Sequence, residues 1–392
     1  MQYGKYLEEG DTIGFVAPAF GCNIEPYKSA FENALTTFEN MGYPTAVGPN
    51  CFLGEGVGIS NTPDKCALEF EFFYTGDESK VLFSCGGGEL MCEILPSVDY
   101  KALNSADGKW FIGYSDNTNL IYSLETICDK AAIYGPCAPA FGQKRWHKSL
   151  DYSFDIMCGR SPVSRGYFGG YFDELISDDK EGARRFTVIP FDRFEKESMK
   201  DEEHPLEPYN CTEENVIRVY PRGVIDDEYK INMAEQHRIA KAETEFVRND
   251  EITRFSGRLI GGCLDCLVTL LGTRFDNTRL FLERYKDDGF IWFLEACDLN
   301  VMSIRRAIWQ MKNAEWFKYV KGFLIGRPLV HGQEMMGLDQ YNAVVDAIKD
   351  LSVPVIMDLD IGHIPPAMPL IAGSMAEVIA TDKGVGINMF TA

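Results

Sequence analysis

The sequence has little positive charge and no long apolar run. Its 38 Lys and Arg residues stand against 59 Asp and Glu residues, a formal net charge of −21, so its surface field should repel phosphate backbones and anionic lipid headgroups. Apolar runs such as 290–294 are far shorter than the roughly 20 residues that cross a bilayer. The amino terminus carries no apolar stretch of the kind that a secretory signal needs. We therefore expect a cytoplasmic protein that binds neither nucleic acid nor membranes.

Histidine is also scarce, with five residues in the chain, so few side chains can serve as a general base near neutral pH. The twelve cysteines mostly have apolar neighbours, which is typical of reduced, buried thiols, and we expect no disulfides. Cys263 and Cys266 form a C-x-x-C pair with no second pair and no histidine nearby, so we predict no metal site. Dinucleotide and phosphate-loop fingerprints are absent, and we expect no cofactor.

Short apolar strands alternate with amphipathic helical patterns along most of the chain. Strands are predicted at 12–17, 80–84, 110–114, 289–294, 321–325 and 354–357. This alternation predicts an α/β fold with parallel sheets that are covered by helices. The segment 257–262 reads as a glycine-rich turn that leads into an apolar helix over 263–271.

The length of 392 residues allows two to three domains. We expect an N-terminal α/β domain over 1–150 and a C-terminal α/β domain over 251–392. The stretch 151–250 between them is acidic and contains several prolines, which predicts a loop-rich connection that could include a lid.

Ser115 lies where a predicted strand passes into a helix. A hydroxyl at this point is at the carboxyl edge of the sheet, where α/β proteins bind ligands, and near the positive end of a helix dipole, which suits a nucleophile. Serine is also among the best helix N-caps, and the local pattern Ser-Asp-Asn-Thr over 115–118 favours that structural role. The second glycine of the G-x-S-x-G elbow is absent.

Three other segments contain candidate site residues. The triglycine 86–88 follows a predicted strand, and its backbone N–H groups could bind an oxyanion, although a tight turn accounts for the glycines equally well. Glu295 follows directly on a strongly apolar strand, where a carboxylate needs a partner. His363 lies in a proline-stiffened loop just after a strand, and a single loop histidine usually faces solvent.

Taken together, these segments resemble the serine peptidase family of LD-carboxypeptidases and microcin C immunity peptidases. The resemblance runs over nearly the whole chain and is carried by 11–18, the glycine loop with 94–99, Phe111-Ile-Gly-Tyr-Ser-Asp116, 134–136, 257–262, 293–295, 362–363 and 368–370. The shared order of these matches is more specific than any one of them.

The resemblance implies a Ser-Glu-His triad in which Ser115 attacks, His363 takes its proton and Glu295 orients the imidazole. It also implies that the backbone N–H groups of Gly87 and Asp116 bind the oxyanion. The implied fold is an N-terminal Rossmann-like domain that holds the serine, followed by a C-terminal α/β domain of the swivelling type. The implied partners are a small peptide or peptidyl-nucleotide substrate and, in a homodimer, a second copy of the chain.

The sequence departs from the family pattern at two places. The glycine loop reads Gly86-Gly-Gly-Glu-Leu90 instead of R-G-G-Y-G, and Ala296 stands where a second acid is common. The sequence around His363 is closer to that of the microcin immunity branch.

We predict a serine carboxypeptidase or amidase that acts through an acyl-enzyme on murein tetrapeptides, as in peptidoglycan recycling, or on microcin C-type peptidyl nucleotides. The altered loop favours one alternative, a non-catalytic peptide-binding module; the missing dinucleotide fingerprint disfavours another, an oxidoreductase.

Overall fold

The strands and helices form two β-sheets with helices packed against them; the computed structural model describes residues 1–163, 183–241 and 252–391. The strands are β1 (Ile13–Val16), β2 (Thr45–Val47), β3 (Val81–Ser84), β4 (Trp110–Gly113), β5 (Ala132–Tyr134), β6 (Arg184–Val188), β7 (Arg193–Glu195), β8 (Cys211–Glu214), β9 (Val216–Tyr220), β10 (Tyr229–Asn232), β11 (Thr253–Cys263), β12 (Phe290–Glu295), β13 (Val320–Gly326), β14 (Glu334–Met335), β15 (Leu338–Asp339), β16 (Val355–Leu359), β17 (Leu370–Ala372), β18 (Met375–Thr381) and β19 (Gly384–Thr391). The α-helices are α1 (Tyr27–Asn40), α2 (Pro63–Thr75), α3 (Tyr100–Ser105), α4 (Thr118–Thr126), α5 (Lys148–Met157), α6 (Met233–Lys241), α7 (Leu264–Leu270), α8 (Thr278–Arg284), α9 (Val301–Asn313) and α10 (Gln340–Ile348).

The first sheet has six strands in the order β17-β5-β4-β3-β1-β2. Strands β1 to β5 are parallel, and every residue of β1, β3 and β4 is buried. This burial explains their unbroken apolar sequences, because both faces of a parallel sheet are covered. Strand β17, from late in the chain, pairs antiparallel with β5 and places Leu370 opposite Tyr134. The predicted α/β class is confirmed.

The helices cover the sheets with apolar faces. In α1 the buried residues are Ala30, Phe31, Ala34 and Phe38, spaced as one side of a helix, and the Phe31 ring packs edge-on against Phe15 of β1. In the described ranges we find no helix that combines the length and the apolar character needed to cross a bilayer.

The second sheet has nine strands in the order β10-β9-β16-β13-β12-β11-β18-β19-β6. Its centre is parallel, since β11, β12, β13 and β16 run in one direction, and the outer strands are antiparallel. The sheet is therefore mixed, with the parallel part that the sequence predicts at its core.

The glycine-rich turn predicted over 257–262 is wrong, because these residues lie inside β11. Gly261 and Gly262 have φ angles of +149° and +140°. A Cβ atom on Gly261 would lie 1.8 Å from the Phe293 carbonyl oxygen, and one on Gly262 would lie 2.6 Å from Thr118 Cγ2. The glycines thus allow close backbone approach within and above the sheet and do not mark a chain reversal.

The stretch 151–250 differs from the loop-rich connection that its composition suggests. Its described part contains β6 to β10, and two of these strands, β6 and β10, form the two edges of the second sheet. In β6 the apolar Phe186 and Val188 are buried while the flanking arginines are not. Short, charged edge strands of this kind carry little apolar pattern in the sequence. Part of the expected lid falls on 164–182 and 242–251, which lie outside the described residues.

Candidate active site

Four strands lead into one cleft at their carboxyl ends. Ser115 follows β4 closely, Tyr134 is the last residue of β5, and Glu295 is the last residue of β12. His363 lies in the loop after β16. The carboxyl edge of an open parallel sheet is the usual place for a ligand site, and here the edges of both sheets contribute residues to it.

The structure brings together the serine, the histidine and the glutamate that the sequence analysis singled out. Ser115 Oγ lies 2.8 Å from His363 Nε2, and His363 Nδ1 lies 2.9 Å from Glu295 Oε2. With a neutral imidazole, the Nδ1–H group donates to the carboxylate, and Nε2 accepts a hydrogen bond from the hydroxyl. This is the geometry that a nucleophile, a base and an orienting acid require.

The backbone at Ser115 holds the hydroxyl toward the cleft. Its φ angle is +63°, a left-handed conformation that costs a non-glycine residue about 1–3 kcal/mol. The Ser115 N–H donates to the Tyr134 hydroxyl at 3.2 Å. The hydroxyl does not cap α4, because that helix begins at Thr118 with Asn117 in the N-cap position. The local capping pattern is therefore not used by Ser115.

Glu295 and His363 form a buried ion pair. Burial acts to raise the pKa of Glu295, but His363, with hydrogen bonds from Tyr134 and Cys263, outweighs it and holds that pKa below its ordinary value. Burial acts to lower the pKa of His363, but Glu295 and the Cys297 thiol together outweigh this effect, and the pKa of His363 is raised. Each partner thus stabilises the charged form of the other.

Tyr134 is a site residue to which the sequence analysis assigned no role. Its hydroxyl donates to Glu295 Oε1 at 2.6 Å and accepts the Ser115 N–H, so it connects the acid to the turn that carries the serine. Its only sign in the sequence is its place in the segment 134–136, which is one of those that carry the family resemblance.

A second buried ion pair anchors the loop that carries His363. The Asp360 carboxylate accepts a hydrogen bond from Arg327 Nη2 at 2.5 Å and another from the Phe191 N–H at 2.6 Å. Gly362 packs so tightly that a Cβ atom there would lie 2.5 Å from Glu295 Oε2. The sequence analysis assigned no role to Asp360 or Arg327, because the two residues follow different strands and only the fold brings them together.

The two residues predicted to bind an oxyanion lie beside the serine. A Cβ atom on Gly87 would be 3.1 Å from Ser115 Oγ, and the Gly87 carbonyl is held by the Phe20 N–H at 2.7 Å. Asp116 is buried, which raises the pKa of its carboxyl to about 6, and this group accepts the Met91 N–H at 2.8 Å. The Asp116 side chain thus ties the turn to the neighbouring segment.

Two cavities meet at the triad. The larger has a volume of about 520 Å³ and the smaller of about 240 Å³. Gly87, Tyr114 and His363 line both of them, whereas Ser115 lines the larger and Lys200 the smaller. A substrate that spans both cavities would therefore pass directly over the serine and the histidine.

Cys263 and Cys266 also line the larger cavity. The Cys266 thiol donates to the Ser115 carbonyl oxygen at 3.7 Å, and Cys263 is the last residue of β11. Among the residues that the structure describes, no group of three or more His, Cys, Asp or Glu side chains is arranged to hold a metal ion.

The chain matches the family model of the LD-carboxypeptidase N-terminal domain over residues 13–135 and that of the C-terminal domain over 256–378. It is 23% identical to the microcin self-immunity protein MccF of Escherichia coli, over 97% of this chain and 94% of that protein. It is 22% identical to a probable murein peptide carboxypeptidase of Bacillus subtilis, over 97% of this chain and 92% of that protein.

A solved structure of MccF in complex with aspartyl sulfamoyl adenosine is similar in fold, with a TM-score of 0.70 at 20% identity over 99% of this chain and 98% of that one. The two matched ranges together cover more than half of the sequence. The protein therefore belongs to the LD-carboxypeptidase family of peptidases.

Proposed function

We propose that this protein is a serine hydrolase that cleaves an amide bond in a small peptide or a peptidyl nucleotide, acting as a carboxypeptidase or amidase through an acyl-enzyme. Membership of the peptidase family supports the hydrolytic reaction. The observation that carries the proposal is the continuous chain of hydrogen bonds from Ser115 Oγ through His363 to Glu295.

In the proposed mechanism Ser115 Oγ attacks the carbonyl carbon while His363 Nε2 takes the hydroxyl proton. The backbone N–H groups of Gly87 and Asp116 stabilise the oxyanion. The tetrahedral intermediate collapses as His363 donates its proton to the leaving amine, and the acyl group stays on the serine. Water, deprotonated by His363, then attacks the acyl-enzyme; the bond between Ser115 Oγ and the acyl carbon breaks, the imidazolium returns its proton to Oγ, and the acid is released. Glu295 stabilises the imidazolium at both stages.

Two substrate classes fit this single reaction. One relative is named as a murein peptide carboxypeptidase, and the MccF relative has been solved with aspartyl sulfamoyl adenosine. We propose either a murein tetrapeptide cleaved before its terminal D-alanine or a microcin C-type peptidyl nucleotide. The larger cavity, of about 520 Å³, is in the range for small ligands, and the smaller one, of about 240 Å³, lies just below that range, which supports short substrates in both cases.

Mass spectrometry of a substrate panel tests the proposal. The panel contains an LD-tetrapeptide, LL-peptides of the same length and an aminoacyl-adenylate analogue. We expect one class to be cleaved by the parent protein and at least about 10³-fold more slowly by Ser115→Ala. Ser105→Ala, which removes an exposed hydroxyl far from the cleft, is the matched control and should behave like the parent.

A serine-reactive phosphonate probe provides an independent readout. It should label the parent at Ser115 and leave Ser115→Ala unlabelled. Equal turnover by the parent and Ser115→Ala would refute the proposal. Tight peptide binding without labelling or turnover would indicate the non-catalytic binding module instead.

The homodimer implied by the family resemblance and the cytoplasmic location expected from the amino-terminal sequence stay predictions. Light scattering of the purified chain measures its oligomeric state directly.

A further inference from the structure

The two cavities differ in their access to the serine. His363 lines both of them, whereas Ser115 lines only the larger one. In acyl transfer the acyl group remains on the serine, while the leaving amine takes its proton from the histidine. If the proposed function holds, the smaller cavity is therefore the place for the leaving part of the substrate.

Lys200 is the one lysine or arginine among the described residues that line the two cavities. Its side chain is half-buried, and burial lowers its pKa. No ion pair of the Lys200 ammonium group is found among the described residues. The Glu195 carboxylate attracts the ammonium group from beyond ion-pair distance and only partly offsets the effect of burial. A partly desolvated cation with no direct ion-pair partner gains free energy when an anion binds beside it.

The carboxylates in the wall of the smaller cavity already have other partners. Glu195 Oε2 accepts the Asn210 N–H at 2.6 Å, and Glu207 pairs with Lys144, which lies outside the cavity. Neither carboxylate lies within ion-pair distance of the Lys200 ammonium. The ammonium group thus remains available to a ligand.

We propose that Lys200 binds an anionic group on the leaving part of the substrate and is a specificity-determining residue. Both substrate classes of the proposed function supply such an anion, the terminal carboxylate of a peptide or the phosphate of a nucleotide. The volume of about 240 Å³ is just below the usual range for ligand pockets and suits a single small amino acid.

Calorimetric binding to Ser115→Ala protein tests this proposal without any need for turnover. The probes are an LD-tetrapeptide that ends in D-alanine as the free acid, the same peptide as the C-terminal amide, and adenosine monophosphate. Adding Lys200→Met should weaken binding of the free acid about 10- to 100-fold, the effect of losing a charge-assisted hydrogen bond. Binding of the amide should change less than about threefold.

Two matched variants complete the design. Lys200→Arg should retain binding of the acid, and Lys5→Met, which removes an exposed cation that pairs with Asp107 outside both cavities, should leave all three affinities unchanged. If Lys200→Met weakens binding of adenosine monophosphate and not binding of the peptide acid, the anion is identified as phosphate. Thermal unfolding of each variant checks that the fold is intact.

Three outcomes would overturn the inference. Lys200→Met could weaken binding of the acid and of the amide equally, it could leave binding of both anions unchanged, or no probe could bind measurably. Turnover is measured separately in the parent with Ser115 intact. Lys200-dependent binding without turnover would refute the hydrolase and keep the anion site, whereas turnover that is indifferent to Lys200→Met would refute the anion site alone.

Discussion

Replacing Glu295 with glutamine removes a negative charge 2.9 Å from His363 Nδ1 and keeps nearly the same shape. Glu295 is almost fully buried, so water cannot take the place of its charge. The glutamine can still accept a hydrogen bond from the Tyr134 hydroxyl, which limits the change to the charge and the tautomer of the imidazole.

The size of the effect follows from the geometry of the pair. At an effective dielectric constant of about 20, two unit charges about 4 Å apart attract by about 4 kcal/mol, which corresponds to about 10³-fold in rate. The acid-to-amide change in Ser-His-Asp peptidases costs about 10⁴-fold, since the wrong tautomer is favoured. We expect kcat/KM of Glu295→Gln to fall about 10³- to 10⁴-fold.

The pH dependence provides a second, independent readout. A general base must be deprotonated in the free enzyme, so kcat/KM should rise with pH through the pKa of His363. That pKa is raised in the parent, against the effect of burial, chiefly by Glu295. In Glu295→Gln the Cys297 thiol still acts to raise the pKa, but burial, the largest single influence, lowers it. The rising limb should therefore move to lower pH by at least about one unit.

Steady-state kinetics from about pH 5 to about pH 10, with phosphonate labelling in parallel, measure both effects. Glu228→Gln is the matched control, because it removes a carboxylate that pairs with Arg218 at 2.8 Å on another part of the second sheet. If kcat/KM of Glu295→Gln is within tenfold of the parent value and the rising limb of its pH profile does not move, the assigned role of the acid is refuted.

Three further substitutions test other contacts. Tyr134→Phe removes a hydroxyl that donates to the triad carboxylate at 2.6 Å, and steady-state kinetics should show a fall in kcat of about 10- to 100-fold with KM nearly unchanged. Gly87→Ala places a methyl group 3.1 Å from Ser115 Oγ, so phosphonate labelling should slow at least about tenfold while the circular dichroism spectrum stays the same. Burial raises the pKa of Glu69 from 4.5 to about 7, so the folded protein holds a proton that the unfolded chain has lost, and this contribution to stability declines as pH rises between those two values. Glu69→Gln should raise the free energy of unfolding by about 3 kcal/mol near pH 8 and change it little near pH 4. Denaturant unfolding at both pH values measures this, and Glu32→Gln, at an exposed position, is the control. Equal effects of Glu69→Gln at the two pH values would contradict the prediction.

Part of the fold could be predicted because the relevant pattern is local. Parallel strands buried on both faces must be apolar at nearly every position, as in β1, β3 and β4, and helices such as α1 show their buried face at regular spacing. The edge strands β6 and β10 were not predicted because they are short and contain charged residues that are at least partly exposed. The glycines of β11 were misread because a glycine that permits close packing looks the same in sequence as one that permits a turn.

By itself, the sequence determined the α/β class, the alternation of elements and, through ordered motifs shared with a peptidase family, which serine, glutamate and histidine to examine. Only the tertiary structure decided that Ser115 Oγ forms a hydrogen bond with the His363 imidazole, 248 positions away in the sequence, and does not cap helix α4. It also decided that Tyr134 and Arg327 support the site and that Lys200 lines a cavity beside it. The physical reason is that local sequence specifies backbone conformation and burial, whereas these contacts join side chains that are far apart in the chain and exist only once the strands and loops that carry them have packed together.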